Sequence, residues 1–383
     1  MRGQLIKRAK GSWSIVLSYK DPATNKWMKK WHTFHGKKPD AEKYLNELAG
    51  QLQNGTYVPM NKFTVTTWLE YWLEEIFKPK GAAATYKSYK DTVYNHIIPE
   101  FGMLALQSLS AEHLQTYYNK KLQTLSSTSV LYHHRVLHTA LEHARRFKKI
   151  QHNPCDDITP PQKAVFEAEL PDAQMVEGVL VEINGTVMYM PVVLALTTGM
   201  RRGEICGLTW SNVYLDEGFI HIGQAMKKNH ENSLVIDTTK TKRARDIPLT
   251  EECRVTLKAQ RAAQAEARLF FGQAYQNNDL VCCWEDGREL DPDYVTKSWT
   301  KIKKKLGIEK KTRYHDLRHN FATALLTMGK NMKVVSDLLR HADIRTTYNF
   351  YAHVEMEAKK EAIQGLDEKL FNKGKKISGF TSR

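Results

Sequence analysis

The chain of 383 residues is long enough for two or three domains, each with its own core. Its formal net charge of +15 argues against an electrically indifferent surface and favours an anionic partner, most often nucleic acid, over a basic protein without one. Five scattered cysteines without a CxxC motif argue against a disulfide framework or a zinc site and favour a reducing compartment. There is no N-terminal signal pattern and no apolar run of membrane-spanning length, so we expect a cytoplasmic protein that does not contact a membrane.

Residues 1–58 predict a small module of strands and one helix. Apolar residues alternate with small ones over 13–19, the period of a strand with one buried face. Residues 27–34 are a second candidate strand, rich in Lys and His, and a helix follows over about 39–52. Residues 1–60 carry 11 Lys or Arg against 4 Asp or Glu, a net +7. We therefore expect the lysine-bearing face of this sheet to bind DNA, rather than form only a solvated basic surface.

Residues 60–152 are predicted to be all helical. Apolar spacing indicates a first helix around 65–76, a second over about 85–98 that Pro99 ends, a third that Ser110 caps, and a fourth over 126–150. Lys, Arg and Tyr interleave along these helices, which suits contacts with DNA phosphates. Consecutive prolines cannot continue a helix, so residues 153–164 are predicted to be an interdomain linker.

Beyond the linker, residues 165–383 predict a third domain of mixed structure. The apolar run 188–196 indicates a buried helix. Three strands over 218–222, 233–237 and 244–249 are expected to form one small sheet, and helices return from about residue 251. The last amphipathic stretch, residues 355–371, is predicted to be a helix followed by a basic tail.

Several short motifs follow one another in this third domain, and each alone is weak. They are a Gly-Met-Arg-x-Gly-Glu turn at 199–204, a Lys-Thr pair at 240–241, His-Asp-Leu-Arg-His at 315–319, Leu-x-His at 339–341 and Thr-Thr-x-x-x-Tyr-Ala-His at 346–353. The ordered set resembles the tyrosine recombinase (phage integrase) family, closest to integrases of conjugative transposons and temperate phages. The resemblance implies a multidomain, mainly α fold with small β elements. It comprises an N-terminal β-sheet-plus-helix arm-binding domain (1–58), a helical core-binding domain (60–152) and a mixed α/β catalytic domain (165–383).

The resemblance also assigns catalytic positions in the first part of the motif set. Arg201 matches the first catalytic arginine, and His315 and Arg318 match the family's HxxR pair, whose spacing places both side chains on one face of a helix. Lys240 matches the lysine at the tip of a hairpin, with Lys242 as the alternative because the register of such a hairpin is uncertain by a residue or two.

The end of the set supplies the nucleophile. His341 matches the next family position, but Arg340 stands where the family usually has glycine, which changes the local turn or adds a phosphate contact. Tyr351 matches the nucleophile. It is favoured over Tyr348 by the Tyr-Ala-His ending and by its distance from His341.

These residue types suit attack of a phenol on a phosphodiester. An unperturbed tyrosine has a pKa of about 10, so the phenol needs a proton acceptor, for which His315 is suited. Arg201 and Arg318 can meet the negative charge that develops on the nonbridging oxygens, and His341 can hydrogen-bond the phosphate. Lys240 can protonate the leaving 5′ oxygen. No metal or nucleotide cofactor is needed. His315 and His319 are four residues apart, but no third ligand makes them a convincing metal pair.

The resemblance implies a site-specific DNA recombinase that integrates or excises a mobile element through a 3′-phosphotyrosine link and a Holliday junction. Its expected partners are double-stranded DNA with core and arm sites, three further copies in a tetramer, and an excisionase or a DNA-bending protein. Its expected location is the bacterial cytosol, at the nucleoid when bound to DNA, and residues 355–371 are expected to dock on a neighbouring protomer. The alternatives are a type IB topoisomerase, which religates the same strand, and a noncatalytic DNA-binding protein of the same fold.

Overall fold

The structure is a computed structural model, and it describes residues 2–20, 27–54, 57–58, 61–163, 170–238, 244–308 and 311–340. The chain divides into two compact units, Met1–Val165 and Phe166–Arg383. Among the described residues, no helix combines the length and apolar composition needed to cross a bilayer.

The first unit begins with a three-stranded antiparallel sheet and one helix. The strands are β1 (Arg2–Ala9), β2 (Ser12–Lys20) and β3 (Trp27–His35), in that order in the sheet, and α1 (Lys38–Gln53) follows. Ile15 and Leu17 of the central strand pack with Leu48 of α1 in a small core. The predicted strands and helix are confirmed, but β1 was missed because its adjacent Leu5 and Ile6 break the alternation of a half-buried strand.

The rest of this unit is helical, as predicted. Its helices are α2 (Val65–Tyr71), α3 (Ala83–Thr92), α4 (Ile98–Phe101), α5 (Ala111–Leu122) and α6 (Ser127–Arg146). α2 runs on into a π-helical turn over Trp72–Phe77. Trp68 and Trp72 are fully buried in the core of this bundle, and the Trp68 indole donates to the Ala140 carbonyl at 3.0 Å. Ser110 caps α5 as expected, since its hydroxyl accepts from the backbone N–H of His113.

The prediction that Pro99 ends the second helix is wrong. A π-helical turn over Val93–Ile97 follows α3, and the Ile98 N–H bonds to the Val93 carbonyl. The chain then starts α4 with Pro99 in its first turn, where no backbone N–H is required, and continues to Phe101.

Part of the predicted linker packs against the helical bundle. Asn153 is fully buried, and its side chain donates to the His138 carbonyl at 3.2 Å and accepts from the Cys155 N–H at 3.1 Å. Pro154–Asp157 forms a 3₁₀ turn whose Cys155 belongs to the helical core. The first residues of the predicted 153–164 linker are therefore held by the bundle, and the three-domain division stays a prediction.

The second unit surrounds a larger hydrophobic core with helices. They are α7 (Ala173–Ile183), α8 (Tyr189–Thr198), α9 (Arg202–Cys206), α10 (Glu251–Phe271), α11 (Pro292–Lys305), α12 (Asp316–Thr327) and α13 (Met332–Leu339). The buried helix predicted over 188–196 is confirmed as α8, and the return of helices near residue 251 is confirmed as α10.

The single sheet predicted for this unit is wrong. Two small antiparallel sheets are present, formed by β4 (Val213–Tyr214), β5 (Phe219–Ile222) and β8 (Arg245–Pro248), and by β6 (Gln224–Lys228) and β7 (Leu234–Thr238). β5 and β6 are separated only by Gly223, so β8 and β7 pair with successive parts of one run of chain. β6 was missed because it has one buried apolar residue, Met226, among polar ones.

Candidate active site

Arg201 lies in a turn between α8 and α9. Gly199 ends α8 in the left-handed region, with φ of 62°, and Arg201 precedes the first turn of α9 in an extended conformation. A Cβ on Gly199 would lie 2.5 Å from Phe321 Cδ1 and 2.8 Å from Leu339 Cδ2, so both the backbone and the packing favour glycine there. The turn therefore fixes Arg201 against α12 and α13.

Glu204 is the carboxylate that organises this turn. It accepts from the Arg201 N–H at 2.8 Å and from Arg201 Nη1 at 3.0 Å. Arg245, at the start of β8, donates to the same carboxylate through Nη2 at 2.8 Å and Nη1 at 3.2 Å. Burial raises the pKa of Glu204, but hydrogen bonds and charge from Arg245, with those of Arg201, outweigh it and lower the pKa to about 2. Arg201 and Glu204, three residues apart, are thus held together as an ion pair.

Arg318 is almost completely buried, with 2% of its surface exposed. Its Nη1 donates to the Gly199 carbonyl and its Nη2 to the Leu339 carbonyl. Arg201 Nη2 donates to the next carbonyl along the chain, that of Arg340, at 3.1 Å. Two guanidinium groups from segments more than a hundred residues apart are thus held by consecutive carbonyls at the end of α13.

The cluster carries more positive than negative charge. Burial and then the charge of Arg201 lower the pKa of Arg318 to about 9, with Arg245 acting in the same direction and Glu204 against it. Carbonyl oxygens, rather than a carboxylate, accept the hydrogen bonds found for Arg318. A buried charge without an ionic partner is unfavourable, so the site is suited to receive an anion such as a phosphodiester.

The His-Asp-Leu-Arg-His segment begins α12. His315 precedes the helix and Arg318 lies in its first turn. Of the pair expected on one helical face, only Arg318 therefore lies within the helix, which begins at Asp316. Asp316 is fully buried and accepts from the Arg313 N–H at 2.6 Å and Nη2 at 2.9 Å. The Tyr314 hydroxyl donates to the Pro191 carbonyl of α8 at 2.7 Å. These contacts hold the segment against α8.

His315 lies beside the arginines at a solvent-accessible edge of the site. Protein packed around its ring, and then the charge of Arg318, lower the pKa of His315. The ring of His319 lies 4.8 Å from that of His315, and burial with the neighbouring His315 lowers the pKa of His319 to about 4. His315 is therefore neutral at pH 7, the state in which it can accept a proton. Within the described ranges, no group of three His, Cys, Asp or Glu residues is arranged to hold a metal ion.

Arg340 occupies the left-handed region, with φ of 55° and ψ of 54°, immediately after α13. This conformation is strained for a residue with a side chain. The chain therefore keeps the turn that glycine would favour although it has arginine, and the Arg340 carbonyl bonds Arg201.

The remaining predicted site residues lie outside the described residues. They are Lys240 with its alternative Lys242, His341, and Tyr351 with its alternative Tyr348; the predicted helix 355–371 also lies there. The structure describes the chain on both sides of residues 239–243, because β7 ends at Thr238 and β8 begins at Arg245. His341 directly follows Arg340, whose carbonyl is bonded by Arg201.

Two known domain families each match a part of the chain. The phage integrase family matches residues 180–358, and the phage integrase N-terminal SAM-like domain matches residues 64–122, together well over half of the chain. The chain belongs to the phage integrase family of tyrosine recombinases. The predicted family and fold class, and with them the class of enzyme, are confirmed for this family member.

Relatives cover most of the length of this phage integrase family member. A protein named tyrosine recombinase XerC-like, from Caldanaerobacter subterraneus subsp. tengcongensis, is 26% identical over 95% of this chain and 97% of its own. The Tn1549 transposon integrase in complex with transposon right end DNA has a TM-score of 0.63 at 21% identity, over 78% of this chain and 100% of that one. A lambda integrase tetramer bound to a Holliday junction has a TM-score of 0.62 at 16% identity, over 90% and 94%. At these identities, the structural likeness shows a shared fold.

The N-terminal sheet of this family member has an aromatic and basic outer face. Trp27 is 62% exposed and Trp31 is 55% exposed, and the Arg8 guanidinium lies 5.9 Å from the centre of the Trp31 ring. Of the two lysines predicted for this face, Lys29 is exposed, whereas Lys30 lies 4.2 Å from the centre of the Tyr57 ring on the side of α1. The surface expected to meet DNA therefore contains Lys29, between Trp27 and Trp31 along β3, and Arg8, which lies against Trp31.

The sequence reasoning missed Arg245 as a site residue. The available signal was the two-residue period of a strand, because Arg245 lies two positions before the buried Ile247 and so on the same face of β8. The partner of Arg245 lies 41 residues earlier, and nothing in the local pattern identified Glu204 as that partner.

Proposed function

We propose that this family member, a site-specific DNA recombinase, integrates or excises the mobile element that encodes it. It would act on core sites through the catalytic unit and on arm sites through the sheet β1–β3. The observation that carries the proposal is the cluster of three guanidinium groups, those of Arg201, Arg245 and Arg318. Arg318 is buried, the Arg201 side chain is 42% exposed, and Glu204 is the buried carboxylate that pairs with Arg201 and Arg245. Such a cluster is suited to hold a phosphodiester and to stabilise further negative charge on it.

In the proposed reaction, the phenolic oxygen of Tyr351 attacks a phosphorus atom of the DNA backbone. A bond forms between that oxygen and phosphorus, and the bond from phosphorus to the 5′ oxygen breaks. His315, neutral at pH 7 because its pKa is lowered, accepts or relays the phenol proton. Arg201 and Arg318 hold the nonbridging oxygens, and His341 hydrogen-bonds the same phosphate. The product is a 3′-phosphotyrosine, which a 5′ hydroxyl from another strand reverses.

Lys240 is proposed to protonate the leaving 5′ oxygen. Its support is its place in the sequence: it lies between Thr238, which ends β7, and Arg245, which begins β8 and bonds the carboxylate that also holds Arg201. Lys242 lies between the same two residues and remains the alternative donor. Each step is assigned to a side chain of the protein, so the proposal includes no metal or nucleotide cofactor.

Strand exchange requires two duplexes, so we place the protein in a tetramer that passes through a Holliday junction. The lambda integrase tetramer on such a junction, which shares this fold, supports that arrangement. Residues 355–371 would dock on a neighbouring protomer and link placement of Tyr351 to assembly. Domains over 1–58, 60–152 and 165–383, with a linker near 153–164, would let the protein close around DNA. An excisionase or a DNA-bending protein would set the direction of the reaction in the bacterial cytosol.

The test uses nicked duplexes tiled from the DNA that flanks the gene, because a nick beside the cleaved phosphate traps the covalent intermediate. We expect Tyr351→Phe to bind these duplexes like the unaltered chain and to form no covalent adduct. Tyr348→Phe is the matched control and should still form it. An adduct that persists in Tyr351→Phe and disappears in Tyr348→Phe would show that the nucleophile was assigned wrongly.

A second assay separates the alternative functions. Two labelled attachment sites in one reaction should yield joined products if the chain recombines DNA. Relaxation of a supercoiled plasmid by a monomer, without such products, would indicate a type IB topoisomerase. DNA binding without an adduct from the unaltered chain on every duplex would indicate a noncatalytic DNA-binding protein.

A further inference from the structure

His319, the last residue of the His-Asp-Leu-Arg-His motif, lies against His315 at the edge of the site. The two ring centres are 4.8 Å apart, and the ring planes are nearly perpendicular, at 83°. The His319 side chain is 14% exposed, whereas His315 is an exposed residue. His319 is therefore the buried member of the pair, and its ring covers one side of the His315 imidazole.

Asp316 is a carboxylate that faces His319. Its Oδ1 lies 3.7 Å from His319 Nε2, which is too long for a hydrogen bond, and the same oxygen accepts from Arg313 Nη2 at 2.9 Å. Burial, with the neighbouring His315 acting in the same direction, outweighs the carboxylate and lowers the pKa of His319 to about 4. At pH 7 His319 is therefore neutral, and it acts on His315 through the space that its ring fills rather than through charge.

Four charged groups act on the His315 ring. Arg318 and Arg201 belong to the arginine cluster, whereas Arg313 and Asp316 lie at the start of α12. Of the four, only Asp316 favours a protonated ring, and burial is the largest cause of the lowered pKa of His315. Water screens charges of this kind, so a ring that closes one side of His315 to water also strengthens the effect of the three cations.

Two other roles for the pair fit the structure less well. A metal site would need a third ligand, and no group of three candidate ligands is found within the part of the chain that the structure describes. With a pKa of about 4, His319 also binds a proton far less readily than a histidine at its ordinary value of about 6.5. His319 is thus poorly suited to accept the phenol proton itself at pH 7.

We infer that His319 is a positioning residue, whose buried ring packs edge-to-face on the His315 imidazole and holds it beside Arg201 and Arg318 with one side closed to water. This inference rests on the proposed function, in which His315 takes the phenol proton. It assigns His319 a role that is exerted through His315 rather than on the DNA. A ring that only filled space within α12 would affect stability and leave the titration of His315 unchanged.

The first measurement is the titration of His315 in the full chain without DNA, followed by the NMR signal of the ring Cε1–H in protein with isotope-labelled histidine. The signal of His315 is the one that disappears in His315→Gln. In the unaltered chain its midpoint should lie below the ordinary histidine value of about 6.5. His319→Ala removes the covering ring and should raise the midpoint toward that value. His319→Phe keeps a ring in place and should leave the midpoint close to that of the unaltered chain.

The second measurement is the pH dependence of adduct formation on the nicked duplex that the unaltered chain cleaves. The rate should fall as pH falls through the pKa of His315, because only the neutral ring accepts a proton. In His319→Ala this fall should begin at a higher pH, by the same shift as the NMR midpoint. At pH 8, where His315 is neutral in both proteins, His319→Ala should still be slower by about tenfold, a part of what a general base usually contributes, because the ring is no longer held in place.

His138→Ala is the matched control. His138 also lies beside an aspartate, with its Nε2 2.9 Å from Asp156 Oδ1, and it also contacts a second histidine ring, that of His134, at 5.9 Å between centres. This pair belongs to the helical bundle of the first unit, so its loss should change neither the titration of His315 nor the rate at pH 8.

An unchanged His315 midpoint in folded His319→Ala, or a rise in His319→Phe equal to that in His319→Ala, would overturn the inference. Equal rates at pH 8 for His319→Ala and the unaltered chain would overturn it as well. If His319→Ala does not fold, as its thermal unfolding would show, His319→Gln decides by the same comparison with His319→Phe. The proposed function fails separately, if the unaltered chain forms no adduct with any duplex, or if the midpoint moves in His319→Ala while the pH dependence of the rate does not.

Discussion

Gly199 supports the site through its conformation, its packing and its carbonyl, so Gly199→Ala tests how the arginines are held. With φ of 62°, a side chain at this position costs about 1–2 kcal/mol in backbone energy. The added Cβ would lie 2.5 Å from Phe321 Cδ1 and 2.8 Å from Leu339 Cδ2, and overpacking of this kind costs about 1–3 kcal/mol. We expect a total loss of about 2–5 kcal/mol in the stability of the catalytic unit.

Gly307→Ala is the matched control. Gly307 has the same φ of 62°, but a Cβ there would have no atom within 4 Å, so only the backbone contribution of about 1–2 kcal/mol should appear. Hydrogen exchange of peptides from α8 and α12 in a urea series measures opening of the catalytic unit separately from the rest of the chain. Because the Gly199 carbonyl also accepts from Arg318, adduct formation should fall in Gly199→Ala and not in Gly307→Ala. Equal losses in stability for the two variants would refute the packing at Gly199.

Three other predictions follow from single contacts. Arg340→Gly should stabilise the chain by about 1 kcal/mol in urea unfolding, because glycine accepts the left-handed conformation while the carbonyl that bonds Arg201 remains; a loss of stability would contradict this. Glu204→Gln should lower the free energy of unfolding by about 3 kcal/mol at pH 7. Because the folded pKa of about 2 lies below the unfolded value of about 4.3, this stabilisation is complete above pH 4.3 and is lost as pH falls toward 2. If the difference in the free energy of unfolding between the unaltered chain and Glu204→Gln stayed constant down to pH 2, that would count against the pairing of Glu204 with the arginines. Lys29→Gln should lower the salt dependence of arm-DNA binding by about one unit of slope in a log–log plot and leave adduct formation at core sites unchanged; an unchanged slope would place Lys29 away from phosphate.

The sequence predicted best where a segment is uniform in character. The apolar run that became α8 and the Ser110 cap of α5 follow from local residue types, and both were located correctly. Pro99 was misplaced because a π-helical turn before it changed the hydrogen-bond pattern, and no single residue marks such a turn. β6 pairs with β7 in a separate sheet because the run of chain that forms β5 and β6 is divided at Gly223. The two-residue period of a strand does not reveal such a division.

The site residues were likewise predicted where a local motif marks them and missed where a distant contact defines them. Arg201, His315 and Arg318 were recognised from motif order, and the structure brings Arg201 and Arg318 to neighbouring carbonyls while His315 lies within reach of both charges. Arg245 was missed because its role depends on a carboxylate 41 residues away. Long-range contacts of this kind arise from tertiary packing, which residue spacing in one chain does not encode.

We expect Arg201 and Arg318 to act together on the negative charge of one phosphate. The most direct measurement compares adduct formation by Arg201→Ala and Arg318→Ala on a normal phosphodiester and on a methylphosphonate, in which one charged nonbridging oxygen is replaced by a neutral methyl group. On the phosphodiester, each variant should be slower than the unaltered chain by about 100-fold or more, and most of that loss should disappear on the methylphosphonate. Losses of the same size on both substrates would contradict the claim that these guanidinium groups meet the charge of the phosphate.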